Sequence, residues 1–440
     1  MGIVSMNSYI SNNRICYAVL GDYVITNINK TRVRIHNQSM TDRIPVTVLS
    51  GPLGAGKTTV LNHVLTADHG HEVAVVVNDM GDVNVDAEHV AQQTDLGGDE
   101  EIVELSNGCI CCRLRGDMLE EVGRLADRLE FDYLLVESSG ISEPIPVAQT
   151  FAMGYEDANY DPTDTYELDT MVTVVNAHSI WESFDTGTAL TDHQLADESG
   201  RVPEEVLLDQ IEFCDVLLLN KCDLVPDDAL EEIEAVLERL QPRAEIVRTE
   251  FGDVDPTSIL DTGEFDFERA QAAAGWKHEL QHDHHHDPQE EHGVTSFVYQ
   301  RDRPFHPERI ASLLPALPAE LIRAKGFFWS AGREDVAMGI DKAGTSVRAG
   351  PSGQWLATLP KAKREQFFAA RPGLEDDWDD EWGDRMTRLV FIGREFDEQP
   401  LIDRLDDCVL TDAEMNDDWD AYPDPFGRSE DRRELALSSQ

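Results

Sequence analysis

Lysine is nearly missing from this chain: there are eight in 440 residues, and 36 basic residues stand against 86 acidic ones for a formal net charge of −50. So acidic a surface repels polyanions, which argues against nucleic acid and anionic membrane as partners unless a local basic patch exists, and the sequence displays none. Long apolar runs are also missing, so neither a membrane span nor a secretory leader is expected. Cysteine is scarce, at seven residues, and three of these crowd into Cys109, Cys111 and Cys112. That is not the spread of a secreted disulfide framework. Together these absences predict a cytoplasmic protein in reducing surroundings. The acidity also suits a salty cytosol, because about 1 M salt shortens the Debye length to about 3 Å and screens self-repulsion.

The length allows two or three domains, each with its own core. Residues 1–43 form an N-terminal extension: up to Gln38 the only acid is Asp22, against Arg14, Lys30, Arg32 and Arg34. This stretch is expected to be disordered or to precede a true start at Met40. From Ile44, short apolar runs alternate with helical stretches: Ile44 to Leu49, Val73 to Val77, Tyr133 to Val136, Met171 to Val175 and Val216 to Leu219. Leu114, Met118, Leu119, Val122, Leu125 and Leu129 fall on one helical face, as do Leu230, Ile233, Val236, Leu237 and Leu240. This rhythm predicts a doubly wound α/β domain with a mostly parallel sheet over 44–260. Residues 261–293 turn acidic and His-rich and are read as a linker. A smaller α+β domain is expected over 294–411 and an acidic, mobile tail over 412–440.

Gly51-Pro52-Leu53-Gly54-Ala55-Gly56-Lys57-Thr58 fits the GxxxxGK-Ser/Thr phosphate loop, between a strand and a helix as that motif requires. Gly51, Gly54 and Gly56 let the backbone wrap a phosphate. The N–H groups of the loop, Ala55 and Thr59 included, supply partial positive charge. Lys57 reaches the β- and γ-phosphates, and Thr58 offers a hydroxyl to Mg²⁺. Asn220-Lys221-Cys222-Asp223 follows an apolar strand and matches the guanine signature NKxD. An ionised Asp223 accepts from guanine N1–H and the 2-amino group, a donor pair that adenine lacks, while Asn220 pins the loop and Lys221 lies along the ring. At the end of another strand, Glu137 is placed for the Mg²⁺ shell or the attacking water, and Gly140 for the γ-phosphate. The chemistry read from these residues is GTP binding and Mg²⁺-dependent hydrolysis, with Lys57, Thr58, Glu137 and Gly140 as the catalytic set.

Three thiols in four residues, Gly108-Cys109-Ile110-Cys111-Cys112, point to a soft metal, since thiolates hold Zn²⁺ at about 2.3 Å in tetrahedral sites. A redox pair or a structural knuckle is the alternative, and spacing does not decide which thiols bind. Cys214, Cys222 and Cys408 stand alone and read as small core residues. The tract holding His282, His284, His285 and His286 is either a metal-collecting segment or a polar spacer.

Taken in order, GPLGAGKTT, GCICC, ESSG and NKCD resemble the CobW-type metallochaperone GTPases, relatives of the nickel-insertion GTPases of hydrogenase and urease maturation. The likeness covers about 44–411 and extends to Asn78-Asp79-Met80-Gly81-Asp82, Arg323-Ala324-Lys325-Gly326 and Val390-Phe391-Ile392-Gly393. Asp79 stands where the family favours Glu, and Asn176 where it favours Asp. The resemblance implies a metal, zinc or cobalt, on Cys109, Cys111 and Cys112 beside the nucleotide switches, with Thr58 and Glu137 on Mg²⁺ and the His282–His286 imidazoles as auxiliary ligands. It implies delivery to a client apo-metalloprotein or a cobalamin-pathway enzyme, and leaves homo-oligomerisation open. The competing function is a metal buffer or sensor whose affinity the nucleotide modulates and whose hydrolysis is incidental. A P-loop kinase is disfavoured, because no acceptor-binding signature accompanies NKCD.

Overall fold

The computed structural model describes residues 43–78, 102–105, 122, 126, 131–138, 140, 142–153, 161–186, 201–274, 277, 293–370 and 378–427. The chain divides at residue 274 into two compact units.

The first unit carries a seven-stranded sheet in the order β3-β2-β4-β1-β5-β6-β7. Its strands are β1 (Ile44–Ser50), β2 (Val73–Asn78), β3 (Ile102–Leu105), β4 (Tyr133–Glu137), β5 (Tyr166–Asn176), β6 (Val216–Asn220) and β7 (Glu245–Arg248). Every neighbouring pair is parallel. Side chains alternate between two cores, as the period of a strand demands. Leu49, Val73, Val75, Leu135, Val172, Val174 and Leu218 meet Val60, Leu61 and Val64 of helix α1 (Lys57–Thr66) on one face. On the other, Val46, Val48, Ala74, Val76, Leu134, Val136 and Met171 meet Val147 and Phe151 of α2 (Pro144–Ala152) and Phe213 of α4 (Pro203–Phe213). Helix α3 (Ala177–Thr186) follows β5, and α5 (Asp227–Leu240) joins β6 to β7 with its predicted apolar face buried. Covering both faces of a parallel sheet in this way makes the fold doubly wound, as expected. The strand order reverses around β1, where such folds bind ligands beyond the carboxyl ends of the strands.

The second unit holds an antiparallel sheet in the order β11-β10-β9-β12-β8. Its strands are β8 (Val294–Arg301), β9 (Leu321–Phe328), β10 (Val336–Ala343), β11 (Ser346–Gln354) and β12 (Thr387–Arg394). On one face Phe297, Phe328, Met338, Leu389 and Phe391 pack against Ile310 of α7 (Pro307–Leu313) and Leu401 and Leu405 of α9 (Glu398–Asp406). Phe327, Trp329, Trp355 and Trp419 form a second core. Helix α8 (Lys361–Ala370) lies between β11 and β12 in sequence.

Two expectations drawn from composition need correction. Residues 261–274 are not linker: Phe265 and Phe267 pack around Phe213, Ala270 of α6 (Phe267–Ala273) is buried, and Asp169 accepts hydrogen bonds from the Thr262 and Gly263 amides. Residues 412–427 are not a mobile tail either, because Trp419 and Phe426 are buried and the Arg333 guanidinium grips Asp424 at 2.7 Å. In both stretches a few aromatic anchors outweigh the many acids around them. Strands β3 and β7, four residues each, are not foreshadowed by the sequence rhythm, because neither carries a long apolar run. Of the helix expected over 114–129, Val122 and Ala126 are described and are helical.

Candidate functional site

The loop between β1 and α1 needs glycine for two different reasons. Gly51, Gly54 and Gly56 have φ of 134°, 79° and 107°, in the region that favours residues without Cβ. At Gly56 a Cβ would also stand 2.3 Å from Asn220 Nδ2, so the loop and the NKCD segment lie too close for any side chain there. Lys57 is 7% exposed, and its ammonium donates to the Gly51 carbonyl at 2.8 Å and to Pro52 at 3.2 Å. Thr58 is half-buried at the first turn of α1, and its hydroxyl donates to Glu137 Oε1 at 3.4 Å. Ala55 is buried and Thr59 exposed.

Glu137 ends β4, in register with Leu49 of β1, and is 6% exposed. A hydroxyl and a carboxylate converging at a strand end form a hard-oxygen donor set, which fits Mg²⁺. Ser138 next to it is fixed to the Leu49 carbonyl through both its amide, at 2.9 Å, and its hydroxyl, at 3.3 Å. Gly140 comes against the loop itself: a Cβ there would lie 2.8 Å from the Leu53 amide nitrogen. Four residues expected to act on phosphate and metal, Lys57, Thr58, Glu137 and Gly140, are thus brought together.

Asn220 is the junction of the base side. It is 2% exposed; its Nδ2 donates to the Ala55 carbonyl at 2.9 Å, and its Oδ1 accepts from Thr249 Oγ1 and the Gly252 amide, both at 3.1 Å. Lys221 follows with a left-handed φ of 64°, and the Cys222 amide donates to the Thr249 carbonyl at 3.2 Å. This turn leaves Asp223 exposed in the short 3-10 helix Cys222–Leu224. Thr249 and Gly252, which hold Asn220, are candidate supporting residues that the sequence pattern does not mark. The one sequence signal for them was the Gly252 after β7, too common to carry meaning alone.

Cys214, Cys222 and Cys408 are buried free thiols, as expected of core residues. Burial raises all three thiol pKa values, Cys408 to about 11, which opposes the thiolate form that a metal needs. The residues assigned to the transported metal, Cys109, Cys111, Cys112, His282, His284, His285 and His286, lie outside the described residues, as does Asp79. Among the described residues no three His, Cys, Asp or Glu side chains are grouped to hold a metal ion.

A doubly wound sheet with a glycine-lined loop, a buried lysine and an asparagine joining that loop to a second motif defines a P-loop nucleotide-binding protein. Residues 45–248 match the model of the CobW/HypB/UreG nucleotide-binding domain, and residues 294–409 that of the cobalamin synthesis protein cobW C-terminal domain. Zinc-regulated GTPase metalloprotein activator 1 of Dictyostelium discoideum is 39% identical over 427 residues, covering 93% of this chain and 89% of that protein. The zinc chaperone YjiA of Escherichia coli is 26% identical, over 81% of this chain and 96% of its own. A crystal structure of Zn(II)-bound YjiA GTPase aligns with 84% of this chain and all of that one, at 22% identity and a TM-score of 0.37. The chain belongs to the CobW/HypB/UreG family, in the form that carries the CobW C-terminal domain.

Proposed function

We propose that this protein is a GTP-hydrolysing zinc metallochaperone that binds its cargo through Cys109, Cys111 and Cys112 and passes it to a client apo-metalloprotein. The observation that carries the reading is Asn220, whose single amide ties the phosphate loop at Ala55 to the turn at Thr249 and Gly252. A side chain so bonded couples the NKCD turn to the phosphate loop, so contacts to base and to phosphate would be made by one preorganised unit. The names of the relatives support GTP and zinc. Zinc is preferred over cobalt on that ground, and three clustered thiols suit either ion.

Lys57 neutralises charge on the β- and γ-phosphates, and Gly140 presents its amide beside the same loop. Thr58 and Glu137 would hold Mg²⁺, which when bound draws charge from the phosphate oxygens. Glu137, next to the anchored Ser138, orients the attacking water. The transition metal is cargo and takes no part in hydrolysis.

Base choice is the direct test. Asp223→Asn, measured by equilibrium titration with fluorescent nucleotides, is expected to lower GTP affinity about 10- to 100-fold, the worth of a charge-assisted hydrogen-bond pair. It should raise affinity for xanthosine triphosphate, whose 2-oxo group accepts from an amide. In parallel, chelator competition with Zn²⁺ and Co²⁺ on the Cys111→Ser/Cys112→Ser variant should show loss of tight binding with GTP binding retained. ATP competing as well as GTP, or tight zinc surviving the double substitution, would refute the corresponding half of the reading.

A further inference from the structure

Behind Gly140 the chain is held at three points, and two buried polar atoms there have no partner among the described residues. Upstream, Ser138 is bonded to Leu49 of β1. Downstream, Arg201 donates to Glu143 Oε1 at 2.7 Å and to Asp209 of α4 at 2.5 Å; burial disfavours its charge, and the Asp209 and Glu143 carboxylates more than offset this and raise its pKa. Between them, Gln210 of α4 donates from Nε2 to the Ser142 carbonyl at 3.0 Å. Only an amide nitrogen can make that bond, so the orientation of Gln210 is determined. Its main-chain carbonyl accepts from Thr173 Oγ1 at 3.0 Å, and Thr173 Oγ1 is 2.9 Å from Ser50 Oγ, immediately before the phosphate loop. Gln210 therefore bridges the entry of that loop and the segment carrying Gly140.

Gln210 is fully buried and Ser142 is 1% exposed, yet Gln210 Oε1 and Ser142 Oγ have no hydrogen-bond partner among the described residues. An orphaned buried acceptor and an orphaned buried hydroxyl are each costly, and here they belong to two residues already bonded to one another. Ser142 O–H is the donor that Gln210 Oε1 lacks. A small displacement of the chain at Ser142, with Ser138 and Glu143 staying anchored, would let the hydroxyl donate to the amide oxygen and satisfy both. Gly140, two residues upstream and against the loop backbone, is where a γ-phosphate would apply that displacement.

We infer that Ser142 and Gln210 are positioning residues whose unmade hydrogen bond forms when GTP, and not GDP, fills the loop, so that the pair sets the preference between the two nucleotides. A ligand shifts such an equilibrium only through its own contacts that differ between the states; here that contact is the γ-phosphate at Gly140, and the Ser142–Gln210 bond lowers the cost of the state that makes it. The inference rests on the GTPase reading above.

The test uses the full chain and its Ser142→Ala variant, with fluorescent GDP and a β,γ-imido GTP analogue as probes, alongside kcat and KM for GTP and the melting temperature. Removing the orphan hydroxyl should leave GDP affinity and the Ki of GDP as a competitor unchanged and the melting temperature unchanged or higher. Affinity for the GTP analogue should fall about fivefold, the equivalent of one net neutral hydrogen bond, and kcat should fall with it. Ser142→Thr, which restores the hydroxyl, should recover both. Gln210→Leu should abolish the same preference; if it fails to fold, Ser142→Ala decides alone. An analogue-to-GDP affinity ratio equal in the wild type and Ser142→Ala would overturn the inference while leaving GTP binding intact. A wild-type chain that bound neither guanine nucleotide would overturn the GTPase reading and this inference with it.

Discussion

The two units bury different things. In the first, aliphatic side chains fill both faces of the sheet, while polar groups such as Lys57, Glu137, Ser142, Gln210 and Asn220 are buried near the carboxyl ends of the strands. In the second, rings predominate among the largest enclosed side chains, with Trp329, Trp355, Tyr299, Phe305, Phe328 and Phe391 beside the buried Arg323, whereas the first encloses fewer of them, Tyr133, Tyr166 and Phe151. Parallel strands ending together leave a rim where backbone and side-chain polar groups converge, and a site can form there at the expense of some stability. An antiparallel sheet packed with rings on helices gains stability from area and close contact. Substitutions in the first unit should therefore act mainly on function, and those in the second mainly on stability.

The largest effect expected is Trp355→Ala, which empties a site at 0% exposure beside Phe327 and should destabilise the second unit by about 3–5 kcal/mol with nucleotide affinity unchanged. Tryptophan fluorescence during urea unfolding reads this, because Trp181 is the single tryptophan between residues 37 and 274. A parallel loss of GTP affinity would break the comparison. Lys57→Ala should do the reverse: kcat/KM for GTP falls about 100-fold or more, with the tryptophan-monitored transition unmoved.

A smaller effect, of opposite sign in the two units, concerns pH. Burial lifts Asp215 to about 6, against its acceptance of the Met171 amide bond. The folded state then holds its proton more tightly than the unfolded state. The first unit thus gains stability as pH falls from about 6 toward 4, and loses up to about 3 kcal/mol at neutral pH. Asp215→Asn keeps the acceptor and should flatten that slope. Glu414 in the second unit is held down to about 2 by the Thr411 amide and the Arg309 guanidinium, so its contribution is present above the ordinary carboxylate range and is lost as pH falls through about 2. Glu414→Gln should remove it. Urea titrations between pH 3 and 8 on both variants sharpen the comparison, and slopes of the same sign would contradict it.

How much was legible follows from the range of the interactions concerned. The phosphate loop, NKCD and Glu137 are legible as candidates because each is a short segment whose chemistry is local, and the five apolar runs announce the sheet because buried strands need them. Trp419 and Phe426 were hidden because acidic neighbours dominate any window of composition, although two rings suffice to anchor a segment. Thr249 and Gly252 were hidden because their role depends on Asn220, about thirty residues away in the chain.

The sequence by itself determined the family, the parallel doubly wound fold and the short segments proposed to meet phosphate and base. Those depend on residue type at fixed spacing, which local chemistry dictates. Tertiary structure alone decided that Gln210 would meet Ser142, that Gly56 would have no room beside Asn220, and that Asp215 would hold its proton up to about 6. Each of these arises where elements distant in the chain exclude water from a shared space, and desolvation and close approach are properties of the packed state.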